Sequence, residues 1–384
     1  MERRKEITPF QVGNILISSI IGPGLLPFPR YAAEAAGTAA PLVTVLGIFM
    51  TLVGVLAVAF LNIHYPEQTF FRYSERIVGR WIALPLNLII IFIFLFLTAF
   101  MAREFGKVVI TSVLENTPVE ASLIIMLLMA SLSSRNDFTT FSYIHQFYTP
   151  LILFPVLFPV LLLVPLSLGN MNPLYLQPIF GDGSQRFFEG GITVAGFFQE
   201  FFILSILTRS VQKIERIPIT AFWGMLVVGG AYFMVGTVSL AVFGPEALKE
   251  LLWPTLELAK LTLLPGQILE RFDAAFLAVW VVATFTSLLS SYYLAVHGTT
   301  EIFRLRDHKA VGLFYLPYVY LFAIIPKNVF SLYDFMNIVF RLGFILTILY
   351  PLGLLGIVLL RKKGGRKGGK GKEKEEAPKP APFS

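Results

Sequence analysis

The chain has 384 residues, of which 55% are hydrophobic and only 14% charged, against about a quarter charged in ordinary soluble domains. That composition excludes a water-soluble globular domain of any size. The absence of cysteine excludes disulfides, thiolate metal sites and a cysteine nucleophile, and the net charge of +7 sits in loops and tail, where it reads as membrane topology rather than nucleic-acid binding.

Apolar residues come in long charge-free runs such as Leu86–Phe100 and Leu151–Leu168. About 20 such residues span a hydrocarbon core. Lipid offers no partner to backbone N–H and C=O groups, so the runs must be helices, and the short alternating segments of a β-barrel are missing. About ten spans are predicted, at 9–37, 40–62, 81–107, 119–134, 139–168, 189–208, 217–243, 273–303, 310–326 and 331–360. Segment 245–270, amphipathic with Pro254 and Pro265, reads as an interfacial helix or loop.

The first span follows Arg3, Arg4 and Lys5, but Gly22-Pro23-Gly24-Leu25-Leu26-Pro27-Phe28-Pro29 interrupts it, which argues against a cleaved signal peptide. Two glycines and three prolines in eight residues cannot hold a continuous helix. Broken backbone at membrane depth survives only beside a cavity or other protein, and secondary transporters bind substrate at such breaks. Arg30 and Glu34, beyond the break, read either as a gate or as residues reaching the interface. Arg103 and Glu104 in span three read as snorkelling or paired. His145 in span five reads as a buried, hydrogen-bonded histidine before a titrating one.

Span six carries Gly190, Gly191 and Gly196, then Phe197, Phe198, Gln199 and Glu200. A second weak point five spans after the first points to an inverted-repeat transporter, though Gly196 also suits a close helix–helix contact. The expected ligand-binding residues are Gly22, Pro23, Gly24 and Leu25 at the first break and Ala195, Gly196, Phe197, Gln199 and Glu200 at the second. Glu200 reads as a ligand for a cation or ammonium, as a proton carrier, or as a structural ion pair with Arg30 or Arg341. In span eight, Thr284, Ser287 and Ser291 share a face; they form a possible cation site or simply knit helices together.

The expected fold is an all-α membrane protein with a 5+5 inverted-repeat, LeuT-like arrangement in which helices 1 and 6 are broken. Residues 1–360 form the transporter-like domain, repeat one at 9–168 and repeat two at 189–360. The Gly- and Lys-rich segment 361–384 is a disordered basic tail, either an anionic-lipid contact or a topology anchor. With both termini cytoplasmic, thirteen basic residues before the tail lie inside and seven outside, as positive charge prefers. No Walker loop or HExxH helix is present, so no enzyme activity, cofactor or metal centre is expected.

Several segments together resemble a known family. They are Ile7-Thr8-Pro9-Phe10-Gln11, Tyr65-Pro66-Glu67-Gln68-Thr69 with Tyr73 through Arg80, Leu114-Glu115-Asn116-Thr117-Pro118, and Glu270-Arg271-Phe272-Asp273-Ala274 with Trp280. Their order is similar to the B subunit of bacterial spore germinant receptors, the endospore germination permease family of the amino acid–polyamine–organocation superfamily. The chain departs from that pattern at Arg135-Asn136-Asp137-Phe138-Thr139-Thr140-Phe141, where the family has a Gly-Ile-Glu stretch and then an arginine. The resemblance implies the inner spore membrane, recognition of a small germinant such as an amino acid, and A- and C-type partner subunits. Two functions are weighed, a germinant-sensing receptor subunit and an amino acid transporter driven by Na⁺ or H⁺; an ion channel fits less well, for want of a pore motif.

Overall fold

The computed structural model describes residues 7–112, 116–167, 171–181, 185–261, 272–326 and 329–372. Its helices are α1 (Pro9–Ile20), α2 (Phe28–Ala36), α3 (Ala40–His64), α4 (Phe70–Val78), α5 (Arg80–Ser112), α6 (Val119–Ser133), α7 (Phe138–Ser167), α8 (Gln185–Gly196), α9 (Leu204–Leu207), α10 (Ile217–Glu250), α11 (Pro254–Leu261), α12 (Phe272–Ile302), α13 (Lys309–Ile324), α14 (Val329–Gly343) and α15 (Tyr350–Lys372). The one β-type pairing among the described residues is a bridge between Ile7 and Val211. Among the described residues, five helical stretches are long and apolar enough to cross a membrane: Phe28–His64, Arg80–Ser112, Ile214–Glu250, Ala274–Ile302 and Phe335–Arg361. A sixth is the pair Phe187–Gly196 and Gln199–Ser210, bent by 51° at the residues between them.

Local chemistry explains where helices begin and bend. Thr8 caps α1 in a capping box with Gln11, and Pro9 takes the first turn, where its missing N–H costs nothing. Gly244, at φ 77°, kinks α10 just before Pro245, so the helix changes direction where the span 217–243 was expected to end. The amphipathic segment that follows includes α11; its residues 262–271 lie outside those described, as do residues 373–384 of the tail. Between α14 and α15 the backbone widens into a π-helical stretch, Phe344–Leu349.

The packing has a two-fold pattern. α1 and α2 lie on α10 as α8 lies on α3; α1 packs against α7 as α8 packs against α14; α5 runs along α12, α3 along α10 and α6 along α13. Exchanging α1 and α2 with α8, α3 with α10, α5 with α12, α6 with α13 and α7 with α14 maps this set of neighbours onto itself.

The connections gather at two ends. At one end Ile7 bridges Val211, Arg72 and Arg209 both reach Glu301, and His308 meets the Arg135 carbonyl. At the other, Thr38 donates to the Pro178 carbonyl, the Asn172 N–H to Ala241, and Arg103 to the Pro326 carbonyl.

Candidate functional site

Between Ile20 and Phe28 the chain leaves α-helical geometry, passing through one 3₁₀ turn at Pro23–Leu25. The carbonyls freed there find partners, as buried backbone must. Ile20 C=O accepts from Tyr232 Oη at 3.1 Å, Ile21 C=O from Ser287 Oγ at 3.3 Å, and Leu25 C=O from Thr255 Oγ1 at 2.7 Å. Gly22 has to be glycine because a Cβ there would overlap the Ser287 hydroxyl. A Cβ on Gly24 would meet the Phe197 ring at 3.0 Å. The first break therefore lies directly against the second.

The second non-helical stretch runs from Phe197 to a 3₁₀ turn at Gln199–Ile203. Phe197 is packed edge-on against Phe28 and Tyr31, at 5.4 and 5.0 Å between centroids, and lies 4.8 Å from Phe340. Gln199 donates to the Phe340 carbonyl at 3.1 Å. Glu200 is only 4% exposed. No ion pair joins it to Arg30 or Arg341 among the described residues: Arg30 bonds Glu34 at 2.6 Å, and Arg341 is exposed.

Between the two stretches lies a cavity of about 20 Å³, walled by Pro23, Gly24, Gly196, Phe197, Glu200 and Ser287 from the expected set. That is room for about one water, not an amino acid. Its other walls, Ile20, Leu97, Phe100, Met101, Tyr232, Met336 and Phe340, were not anticipated; they sit in apolar runs with no local signal. Gly22 and Leu25 face a separate small apolar cavity beside Trp280 and Ala283. Ala195 and Gln199 are buried behind the first cavity rather than in its wall.

The hydroxyls of α12 are arranged differently from the expected set. Thr286 Oγ1 donates to Ser18 C=O at 2.8 Å and lies 2.9 Å from Ala283 C=O. Ser287 Oγ lies 3.3 Å from Ile21 C=O and 3.5 Å from Ser18 C=O. Five oxygens thus converge at the end of α1: three carbonyls, Thr286 and Ser287. Of the expected residues only Ser287 belongs to this cluster. The Thr284 and Ser291 hydroxyls are buried without a partner among the described residues. Beside the cluster, His145 is buried with Ser18 Oγ at 2.6 Å from Nδ1 and Ser290 Oγ at 3.2 Å from Nε2, which matches a structural histidine.

No bond joins Arg103 to Glu104 among the described residues. Both are buried; Arg103 donates to Pro326, and the Tyr333 hydroxyl is 3.5 Å from Glu104 Oε1. They are adjacent in sequence, so they point to different sides of α5.

Two non-helical stretches framing a small cavity within a bundle of exchange-symmetric helices are the arrangement of the LeuT fold. The structure of MhsT in complex with L-phenylalanine matches with a TM-score of 0.63 at 13% identity, over 93% of this chain and 99% of that one. Mhp1, a nucleobase-cation-symport-1 family transporter with bromovinylhydantoin bound, matches with a TM-score of 0.55 at 14% identity, over 88% and 76%. Within that fold class the chain belongs to the family described as Spore germination protein, whose sequence model matches residues 6–331. Spore germination protein YndE of Bacillus subtilis (strain 168) is 28% identical over 94% of this chain and 98% of its own length. Spore germination protein B2 of the same organism is 25% identical over 94% and 97%, and GerLB of Bacillus cereus 22% identical over 94% and 96%.

Proposed function

We propose that this chain is the ligand-sensing membrane subunit of a germinant receptor, and that it binds a small germinant, an amino acid, between its two breaks. One observation carries the reading. Glu200 is a carboxylate buried among apolar rings, without an ion pair among the described residues, in the wall of a cavity whose opposite wall is the loosened backbone of Pro23 and Gly24. A carboxylate that shares the cavity wall with the aromatic rings of Phe197 and Phe340 suits an ammonium group. The present cavity is too small for the ligand, so Phe197, Phe340 or Met336 has to move before an amino acid enters.

The same reading extends to topology and setting. Ten spans in two inverted repeats of five, both termini in the cytoplasm, the inner spore membrane and A- and C-type partner subunits complete the proposal. The exchange-symmetric packing supports the repeats. The positive charge at the Arg72–Arg209–Glu301 end supports the orientation.

Binding of an amino acid panel to the purified chain, followed by thermal shift in detergent, tests the site. Gly24→Leu should abolish the shift and Gly24→Ala should weaken it, while Glu200→Gln lowers affinity about tenfold through loss of a charge-assisted contact. Binding unchanged in Gly24→Leu and Glu200→Gln together sinks the proposal.

A second reading, an ion-coupled amino acid transporter, is favoured by the five-oxygen cluster. Carbonyls of a broken helix and hydroxyls of a neighbour are the hard ligands that hold a small cation. Proteoliposomes containing only this chain decide between the two. Accumulation of labelled amino acid driven by a Na⁺ or H⁺ gradient indicates a transporter; binding without accumulation indicates a receptor.

A further inference from the structure

A far larger space than the one between the breaks lies elsewhere in the molecule. A cavity of about 640 Å³ opens at the end of the bundle where α4, α7 and α13 begin and α12 finishes. Arg72, Arg209, Arg304 and Arg306 line it against two acids, Asp137 and Glu301, with His297 and His308 alongside. Glu301 is shared, bonded by Arg72 at 2.8 Å and by Arg209 at 2.9 Å. Asp137 is also engaged, accepting from the Thr140 N–H at 2.9 Å; that bond holds its carboxyl below the usual carboxylate range, so it is charged at neutral pH. Two arginine charges are left over in the wall.

Two features of this wall bear on an anionic occupant. Thr69 occupies the N-cap of α4 without capping it. Thr69 instead lines the cavity, 3% exposed, and its hydroxyl is buried without a partner among the described residues. The first turn of α4 holds no acid, so the positive end of its dipole is uncompensated there. Arg304 is the second feature. The Leu305 N–H bonds Thr300 C=O at 3.0 Å and the Arg304 N–H bonds Glu301 C=O, a Schellman cap with Arg304 at C′ and φ 55°. Glycine is the common residue there because a side chain is strained in that conformation. Here an arginine that lines the cavity occupies a glycine position.

We propose that this cavity is an anion site for a phosphate-bearing ligand, held by Arg304, Arg306, Arg209 and the Thr69 hydroxyl at the α4 N-terminus. An occupant would compete with Glu301 for Arg209, and so bear on the contact that ties α4, α12 and the segment after α9 together. The ligand chemistry is a phosphate group, either free in solution or on an anionic lipid.

Arg304→Gly is the informative variant, because it removes the charge while relieving the backbone. Pyrophosphate is titrated by calorimetry into the full chain in a neutral detergent. Saturable binding should weaken about tenfold in Arg304→Gly and again in Arg306→Gln, with thermal stability of Arg304→Gly held or raised. Lys249→Gln, at the other end of the bundle, should bind as the parent does. In a parallel arm, the chain in phosphatidylcholine nanodiscs doped with phosphatidylglycerol is assayed for retained anionic lipid. Arg304-dependent retention without pyrophosphate binding identifies a lipid headgroup as the occupant, and the reverse identifies a soluble phosphate. Absence of both, or binding indifferent to Arg304 and Arg306, overturns the proposal.

Discussion

Thr284 and Thr286 lie two residues apart on α12 and have opposite fates. The spacing of Thr284, Ser287 and Ser291 shows that they share a face, because helical geometry follows from sequence alone. It does not show how that face is rotated about the helix axis, which is set by packing against α1. The rotation turns Thr286, Ser287 and Ser290 toward α1 and leaves the Thr284 and Ser291 hydroxyls buried without partners among the described residues. Thr286→Val removes a bond to a carbonyl and should cost about 1 kcal/mol. Thr284→Val replaces an unpartnered buried hydroxyl by an apolar isostere and should be neutral or stabilising. Thermal unfolding of the two variants in one detergent checks the contrast, and equal losses would contradict the assigned rotation. Asp137 permits a pH argument on the same scale. Its carboxyl is held below the ordinary value, first by the Thr140 N–H. Its stabilising share is therefore present above the unfolded carboxylate value and lost as pH falls through the lowered folded one. Asp137→Ala should lower stability by about 1 kcal/mol near neutral pH, as loss of an N-cap does, and the gap to the parent should close on acidification. A gap that persists or widens in acid contradicts the cap.

At the level of the helices, the departure from α-helix between Ile20 and Phe28 was the most legible feature, because glycine and proline act through their own backbone chemistry. The turn at Phe197–Ile203 was less so. Its glycine gives only a weak signal, and its other residues are ordinary helix members that the surroundings bend. Gly196 makes the close helix–helix contact that was one of its sequence readings. It lines the cavity, and a Cβ there would overlap the Phe340 ring of α14. The walls supplied by Phe100, Met101, Tyr232, Met336 and Phe340 were not legible, since an apolar residue facing a cavity and one facing lipid look alike in sequence. Gly196→Ala should therefore destabilise by about 1–3 kcal/mol through overpacking. Phe340→Leu in the same chain should recover part of that loss, a coupling expected of residues in contact. A double-mutant cycle on thermal unfolding measures it, and additive losses would mean that the helices do not meet there.

The whole molecule turns on how often the chain passes between its two ends. Among the described residues, length and composition alone select five helical stretches, or six with the bent one, because helices such as Val119–Ser133 and Lys309–Ile324 are short. Contacts argue for more crossings. The loops near Arg72, Arg135, Arg209 and His308 meet at one end, and those near Thr38, Asn172 and Pro326 lie at the other. The proposed ten crossings follow if the chain alternates between these ends. The lack of native cysteine makes this directly measurable, since each introduced cysteine is the only thiol. Arg76, Arg216 and Arg306 are exposed at the first end, and Phe180, Glu246 and Ile325 at the second. In sealed right-side-out membranes, cysteines replacing the second trio should react with an impermeant maleimide. Cysteines replacing the first should react only after permeabilisation. Uniform reversal would keep ten crossings and invert the orientation, against the excess of positive charge at the first end. A trio that splits between the two compartments would remove the ten-crossing arrangement, and with it the inverted pairing that sets one break against the other.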